Sequence, residues 1–452
     1  MTQEMHQAGA DSELRDAIYK YAAERMAMDP VPLDGPKSPA ELFALAGNTI
    51  TESGMGGTAA LSMFEETLAP ATISTDHPNF LSFIPAAPTE AATLFDLVVS
   101  ASSIYGGSWT EGAGAVFAEN QVLEFIAKEA GLPAGAGGVF VQGGTLGNLS
   151  ALVVARDEAE KALGKQNWAI ICSSEAHSSV KSVAKVMGVT VVTGDASATG
   201  SLSGSAAIAA IESAKNKNLV PFALVGTGGT TNFGIVDQLA ELADVAKEHS
   251  LWFHVDGAYG LAAMLVEDLK PKFLGLEKAD SFIVDPHKWL FAPFDACALI
   301  YRNPELARQS HTQHGEYLET LNKNDDWNPS DYAFNLTRRV RGLPLWFSLA
   351  TYGIASYRSA IADNVALAHK IAEEITSRSG LKLVREPELS VVVFEKEGWE
   401  LQDYEKWSKK LLDEQIGFVV PSSHKGKPNT RFAIVNPNTS FEDLVGILDT
   451  ME

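Results

Sequence analysis

Leu251-Trp252-Phe253-His254-Val255-Asp256-Gly257-Ala258-Tyr259-Gly260 is the stretch whose reading decides the fold. An apolar run ends directly in an aspartate and is followed by small residues, the pattern of a buried strand that stops at a loop. Comparable runs stand on both sides of it: Val139-Phe140-Val141, then residues 168–172, 189–192, 222–225, 281–284 and 296–301. Amphipathic stretches such as residues 238–248 separate them. This alternation, across residues 89–349, predicts an α/β domain with a mainly parallel seven-stranded sheet wrapped by helices. Ligands of such sheets bind outside the carboxyl ends of the strands, so the residues just after each run are the functional candidates.

The flanks differ. Residues 1–88 form an N-terminal helical arm, with helices expected over 13–27 and 40–46 around the breaker run Asp29-Pro30-Val31-Pro32-Leu33-Asp34-Gly35-Pro36. Such an arm has too little apolar surface to fold alone and is expected to pack on the rest of the protein or on a second subunit. Residues 350–452 form a small C-terminal α+β domain: a helix through 364–376, strands at 389–394 and 431–435, and a closing helix from 441. Its hinge is expected near Tyr352-Gly353.

The chain has 452 residues, 46% of them hydrophobic, and carries 35 basic against 57 acidic side chains for a net charge of −22. That balance repels phosphate backbones and anionic lipid, which argues against nucleic acid and membrane surfaces as partners. The two cysteines, Cys172 and Cys297, lie inside apolar runs, as expected of free thiols in a reducing compartment. The first twenty residues have no apolar signal core, and no run of eighteen apolar residues occurs. A cytoplasmic location is the expectation.

Five features follow the strand ends. Asp256 can pair with a protonated heterocyclic nitrogen, and Ala258 leaves room for a flat ring against the backbone; alone, Asp256 could be an ordinary helix cap. Lys288, in Val284-Asp285-Pro286-His287-Lys288-Trp289-Leu290, emerges from the next strand beside proline and tryptophan. Desolvation there predicts a lowered pKa, as an imine-forming amine requires. Gly143-Gly144-Thr145-Leu146-Gly147-Asn148 opens a helix; its amides and helix dipole suit an anion, with Thr145 and Asn148 as side-chain donors. It is neither a Walker loop nor Gly-x-Gly-x-x-Gly. His177, in Ser173-Ser174-Glu175-Ala176-His177-Ser178-Ser179-Val180, can stack on a ring and keep a nitrogen for a carboxylate, or serve as a structural hydrogen-bonder. The hydroxyls of Gly228-Gly229-Thr230-Thr231 reach the same crevice or cap a turn. No metal site is expected: His-Glu-x-x-His and paired Cys-x-x-Cys are absent, and the ten histidines are scattered. A serine-hydrolase elbow is absent too, since Gly200-Ser201-Leu202-Ser203-Gly204 has leucine where the nucleophile would stand.

Together these residues resemble the group II pyridoxal-phosphate decarboxylases, which include the aromatic amino acid, histidine and glutamate decarboxylases. The likeness runs in family order from about residue 77 to 437: His77-Pro78-Asn79-Phe80, Gly143-Gly144-Thr145, Ala176-His177-Ser178-Ser179, Gly229-Thr230-Thr231, His254-Val255-Asp256-Gly257-Ala258, Asp285-Pro286-His287-Lys288-Trp289 and Arg338-Arg339-Val340-Arg341. The resemblance implies a fold-type I, pyridoxal-phosphate-dependent homodimer with its active site at the interface, releasing an amine and carbon dioxide from an L-amino acid. It implies that Lys288 forms the internal aldimine, Asp256 pairs with the pyridine nitrogen and His177 stacks over the ring. Gly144, Thr145 and His287 would hold the phosphate, and Thr231 would lie beside the substrate. Residues 320–336 are similar to the mobile catalytic loop of the aromatic decarboxylases, in which a tyrosine next to an aspartate returns the proton. Asp331-Tyr332 looks similar, although the stretch before Arg338 is shorter here.

The segments corresponding to the family's side-chain pocket are residues 80–85 and Ile104-Tyr105-Gly106-Gly107-Ser108-Trp109. They are apolar and aromatic and offer no cation for a side-chain carboxylate, so aromatic substrates are favoured, with Phe80, Tyr105 and Trp109 as the contacts. Tyr105 and Trp109 serve equally well as dimer-interface packing. The alternatives are an aldehyde synthase, lyase or aminotransferase on the same scaffold, or a decarboxylase of glutamate or diaminobutyrate. A catalytically silent relative is the reading that intact Lys288, Asp256 and His177 oppose.

Overall fold

Seven apolar runs pair into one sheet in the computed structural model of the protein, which describes residues 11–85, 87–196, 199–315 and 326–451. The strands are β1 (Gly137–Val141), β2 (Trp168–Ser173), β3 (Thr190–Gly194), β4 (Val220–Thr227), β5 (Trp252–Asp256), β6 (Ser281–Val284) and β7 (Cys297–Tyr301). Their order is β1-β7-β6-β5-β4-β2-β3. Strands β2 to β6 run parallel to their neighbours, and β7 lies antiparallel between β1 and β6. Every residue of β1, β2, β6 and β7 is buried, which explains why these strands read as apolar runs rather than as alternations.

Alternation is nonetheless present in three dimensions. In β1, Phe140 joins one core while Val139 and Val141 join another on the opposite face. In β5, Phe253 and Val255 enter the larger apolar core, whereas His254 and Asp256 share the other face, where both bond to Asn148. The β5 register sets Asp256 opposite Thr227 of β4 and Ile283 of β6. Three carboxyl ends therefore finish at one level. The helix Gly144–Leu163 follows β1 and crosses that face closely. A Cβ at Gly147 would come within 2.8 Å of Ile283 and 3.0 Å of Cys297, so only glycine lets the helix approach this far.

A second sheet, order β10-β11-β9-β8, is antiparallel and comprises β8 (Leu381–Leu383), β9 (Val391–Lys396), β10 (Pro421–His424) and β11 (Lys427–Ala433). Helices Leu401–Asp413 and Phe441–Asp449 cover it around its own core, which includes Ile371, Phe394, Trp407 and Phe432. The helix Leu343–Ser377 serves both cores and is broken at Gly353, whose φ of 75° lies in the left-handed region. In the arm, Ser12–Met26 and Pro39–Ala46 bury no residue, and Phe43 (71% exposed) and Ile50 (85%) face outward.

The Arg-Arg-Val-Arg motif does structural service. Arg338 donates to both Glu119 oxygens, at 2.9 and 2.8 Å, and to the Gly106 carbonyl at 2.6 Å. Glu119 also accepts the Gly342 amide at 2.8 Å, and both side chains are almost fully buried. Removing one partner strands a buried charge. Glu119→Ala is therefore expected to lower unfolding free energy by about 3–5 kcal/mol, while the Glu119→Leu/Arg338→Met pair recovers most of that. Urea titration checks this; a loss under about 1 kcal/mol for the single variant would contradict it.

Candidate active site

The carboxyl ends of β1, β4, β5 and β6 open into a cavity of about 560 Å³. Gly144, Thr145, Asn148, His177, Thr231, Asp256, Ala258, His287 and Lys288 all line it. These residues come from turns up to 144 positions apart in sequence, gathered because each turn follows a strand of the same sheet.

Asp256 ends β5 almost buried. Its Oδ2 accepts from Asn148 Nδ2 at 2.9 Å and its Oδ1 from the Ala258 amide at 3.2 Å. His177 caps the helix Ser178–Met187: its Nδ1 accepts the Ser179 amide at 3.2 Å and lies 2.9 Å from Ser179 Oγ. Gly144 starts the twenty-residue helix Gly144–Leu163, and a Cβ there would come within 3.1 Å of Ile283 and 3.3 Å of Asp285 Oδ2. Of the two threonine hydroxyls, Thr230 Oγ1 caps its turn by accepting from Ile235, while Thr231 lines the cavity. His287 Nδ1 lies 2.6 Å from the Ala296 carbonyl, and burial holds its imidazole below the usual histidine range.

Lys288 corrects an expectation. Burial does push its pKa down, but Asp285 Oδ2 stands 2.9 Å from Nζ, and that carboxylate, with Asp256 behind it, more than offsets burial. The ammonium is held above the ordinary lysine range. Asp285 itself is 2% exposed and its Oδ1 has no partner. The sequence reading gave Asp285 no role. Its place three residues before Lys288, on the turn after β6, was the available signal.

Asn148, expected as a donor at the glycine turn, lines the cavity, and its amide is engaged by Asp256, Ser179 and His254. Four further candidates do not line the cavity of their own chain. Phe80 packs on Phe418 with ring centres 4.9 Å apart, and the Tyr105 hydroxyl donates to the Leu336 carbonyl at 3.3 Å. Trp109 begins the helix Trp109–Glu129. Tyr332 is buried and stacked on Trp327 at 4.1 Å, and burial pushes its hydroxyl well above the usual tyrosine range. The loop expected over 320–336 lies partly outside the described residues, which omit 316–325. Among the described residues no group of three or more histidine, cysteine or acidic side chains is arranged to hold a metal, and no helix is long and apolar enough to cross a membrane.

A profile of the pyridoxal-dependent decarboxylase conserved domain matches residues 42–397. The chain belongs to this family. An aromatic-L-amino-acid decarboxylase of Bacillus atrophaeus is 31% identical over 385 residues, 82% of this chain and 80% of that protein. A 4-hydroxyphenylacetaldehyde synthase of Rhodiola rosea is 30% identical over 348 residues, 74% and 71% of the two chains. The crystal structure of Oryza sativa TDC with PLP and tryptamine superposes with a TM-score of 0.90, covering 98% of both chains at 23% identity, which speaks for the fold.

This pyridoxal-dependent decarboxylase is thus a carboxy-lyase acting on an amino acid, and its cofactor is pyridoxal phosphate. The residues present fit that group. A carboxylate that hydrogen bonds hold as an acceptor suits a protonated pyridine nitrogen, an amine suits an aldehyde, and the N-terminus of a twenty-residue helix opening through glycines on the cavity wall suits a phosphate. An amine attacks an aldehyde only in its neutral form, and Asp285 favours the ammonium of Lys288, so if this amine captures the cofactor, capture is expected to accelerate as pH rises. Asp285→Asn should lower the pH midpoint of that capture, read by stopped-flow absorbance. A midpoint that stays or rises would show that Asp285 does not control the amine.

Proposed function

We propose that this decarboxylase acts on L-amino acids with aromatic side chains, converting them to the amine and carbon dioxide as a cytoplasmic homodimer. One observation carries the preference: Lys288 is the only lysine or arginine among the described residues lining the cavity, so a side-chain carboxylate such as that of glutamate would find no second cation. The aromatic-L-amino-acid decarboxylase relative supports the same reading.

In this proposal Lys288 holds the cofactor, Asp256 keeps the proton on its ring nitrogen, and His177 covers the ring face. The amides at Gly144, with Thr145 and His287, hold the phosphate, and Thr231 and Ala258 bound the ring. When bound, pyridoxal phosphate supplies a conjugated ring that accepts the electron pair left as carbon dioxide departs. The chain's own task is orientation: the substrate carboxylate must stand across the ring plane, and His177 Nε2, with no hydrogen bond among the described residues, is free to hold it. His177 also lines the cavity as an acid that can return a proton at the α-carbon, beside the Lys288 ammonium. Tyr332 and the aromatic residues Phe80, Tyr105 and Trp109 enter the proposal only from a second subunit.

Exposed apolar side chains support such a dimer: Phe43 and Ile50 on the arm, Leu94, Leu97 and Val98 on the helix Glu90–Ala101, and Phe117 on the helix Trp109–Glu129. The three parts proposed are the arm over 1–88, a large domain over 89–349 and a small one over 350–452.

The deciding experiment is a product screen over the twenty amino acids plus dihydroxyphenylalanine and diaminobutyrate. Amine from tryptophan, tyrosine, phenylalanine or dihydroxyphenylalanine, without ammonia or peroxide, is expected. A second reading, aldehyde synthase, draws on the Rhodiola rosea relative and on the absence of Tyr332 from its own chain's cavity. Aldehyde, ammonia and peroxide in equal amounts would establish it instead.

A further inference from the structure

A polar chain runs behind the cavity wall, and donor chemistry assigns its protons. Trp252 Nε1 can only donate, and it donates to Ser281 Oγ at 2.8 Å. At the far end Asp256, as counter-ion of a protonated ring nitrogen, can only accept. The Asn148 atom 2.9 Å from its Oδ2 is therefore the amide nitrogen. That choice places Asn148 Oδ1 2.9 Å from His254 Nε2, which must carry the proton. His254 Nδ1 then accepts from the Ser281 hydroxyl at 2.8 Å. His254 is wholly buried, and burial holds it neutral, its pKa pushed down to about 4.

The second Asn148 N–H donates to Ser179 Oγ at 3.1 Å. This leaves the Ser179 hydroxyl proton for His177 Nδ1, 2.9 Å away, which also receives the Ser179 backbone N–H at 3.2 Å. A nitrogen accepting two donors has no proton of its own, so neutral His177 carries its proton on Nε2. Both Asn148 and Ser179 are buried side chains of the cavity wall.

We infer that Asn148 is a positioning residue whose single amide fixes the Asp256 carboxylate and, through Ser179, the Nε2–H tautomer of His177. The group beneath the ring nitrogen and the group over the ring face answer to one side chain. In that tautomer His177 presents a donor to the cavity, which a substrate carboxylate requires. The inference rests on the roles proposed above for Asp256 and His177, but its geometry lies in the chain alone.

The test is ¹⁵N magnetic resonance of ¹⁵N-histidine-labelled protein, with His177→Gln assigning the signal, in cofactor-free protein and holoenzyme. Wild type is expected to show His177 protonated on Nε2. Ser179→Ala should erase that preference and raise KM about tenfold, the loss of roughly one hydrogen bond, with kcat changed less. It should leave the ¹⁵N shift of the cofactor ring nitrogen in place. Asn148→Leu should move both signals and lower kcat as well; Asn148→Ser, a smaller perturbation of the core, should do the same should the leucine variant not fold. A wild-type His177 protonated on Nδ1, a tautomer unmoved by Ser179→Ala, or a ring-nitrogen signal unmoved in the Asn148 variants would overturn the inference. Because the histidine signals are read without cofactor too, a protein that makes no amine would sink the proposed reaction and leave the tautomer result standing on its own.

Discussion

Lys288→Ala is expected to give a protein with no cofactor absorption at the edge of the visible and with decarboxylation reduced by roughly 10⁴-fold, a barrier increase of about 5.5 kcal/mol. The magnitude follows from what is lost together. Lys288 is the only lysine among the described residues lining the cavity, so no neighbouring amine can take over the proposed covalent attachment. Asp285, which Lys288 neutralises at 2.9 Å, is left as a buried charge with one oxygen already unpartnered. That charge would disfavour a phosphate beside it. Borohydride reduction followed by mass spectrometry gives a readout independent of turnover: wild type should gain one cofactor mass on the peptide containing Lys288, and the variant none. Retained colour, or an adduct on another lysine, would move the anchor elsewhere.

Asp256→Asn is expected to reduce kcat/KM by roughly 10³-fold, about 4 kcal/mol, while leaving stability within about 1 kcal/mol of wild type. The replacement keeps the shape, and its carbonyl oxygen can still accept from Asn148 Nδ2, while its amide nitrogen no longer accepts the Ala258 N–H, a loss of one ordinary hydrogen bond. What disappears is the negative charge that, in the role proposed for Asp256, keeps a proton on the ring nitrogen, and with it the capacity to take up electrons as carbon dioxide leaves. Steady-state kinetics at saturating cofactor, paired with urea unfolding, separates the two effects. Activity within tenfold of wild type would mean that Asp256 is a structural cap after all.

The large sheet was legible because strands buried on both faces appear as uninterrupted apolar runs, and each expected run falls within one or two residues of a strand in the structure. The polar edge strand Pro421–His424 was not anticipated, since Pro-Ser-Ser-His has no apolar side to reveal. In the site, residues directly after strand ends could be found from the sequence because the sheet delivers them to one place. Two things could not. The direction of the Lys288 shift depends on whether burial or a carboxylate 2.9 Å away dominates, and only a distance decides that. The partners of Asn148 come from residues 31 to 108 positions away, so nothing local distinguishes an anion donor from an amide held by Asp256 and Ser179. The same holds for Tyr105, whose hydroxyl meets the Leu336 carbonyl 231 positions away.

The register of β5 gives the enzyme an all-or-none dependence on counting. His254 and Asp256 reach Asn148 because they are two residues apart on one face, and Asp256 is level with Thr227 and Ile283. Deleting one residue upstream in this strand would leave its composition almost unchanged. It would nevertheless present Val255 to the amide and drive both polar groups into the apolar layer that holds Phe253. Drift in the length of this strand should therefore be intolerable, whereas the outer loops can lengthen freely. The hydrogen-bond ladder works as a ruler, and the reaction is possible at one of its marks only.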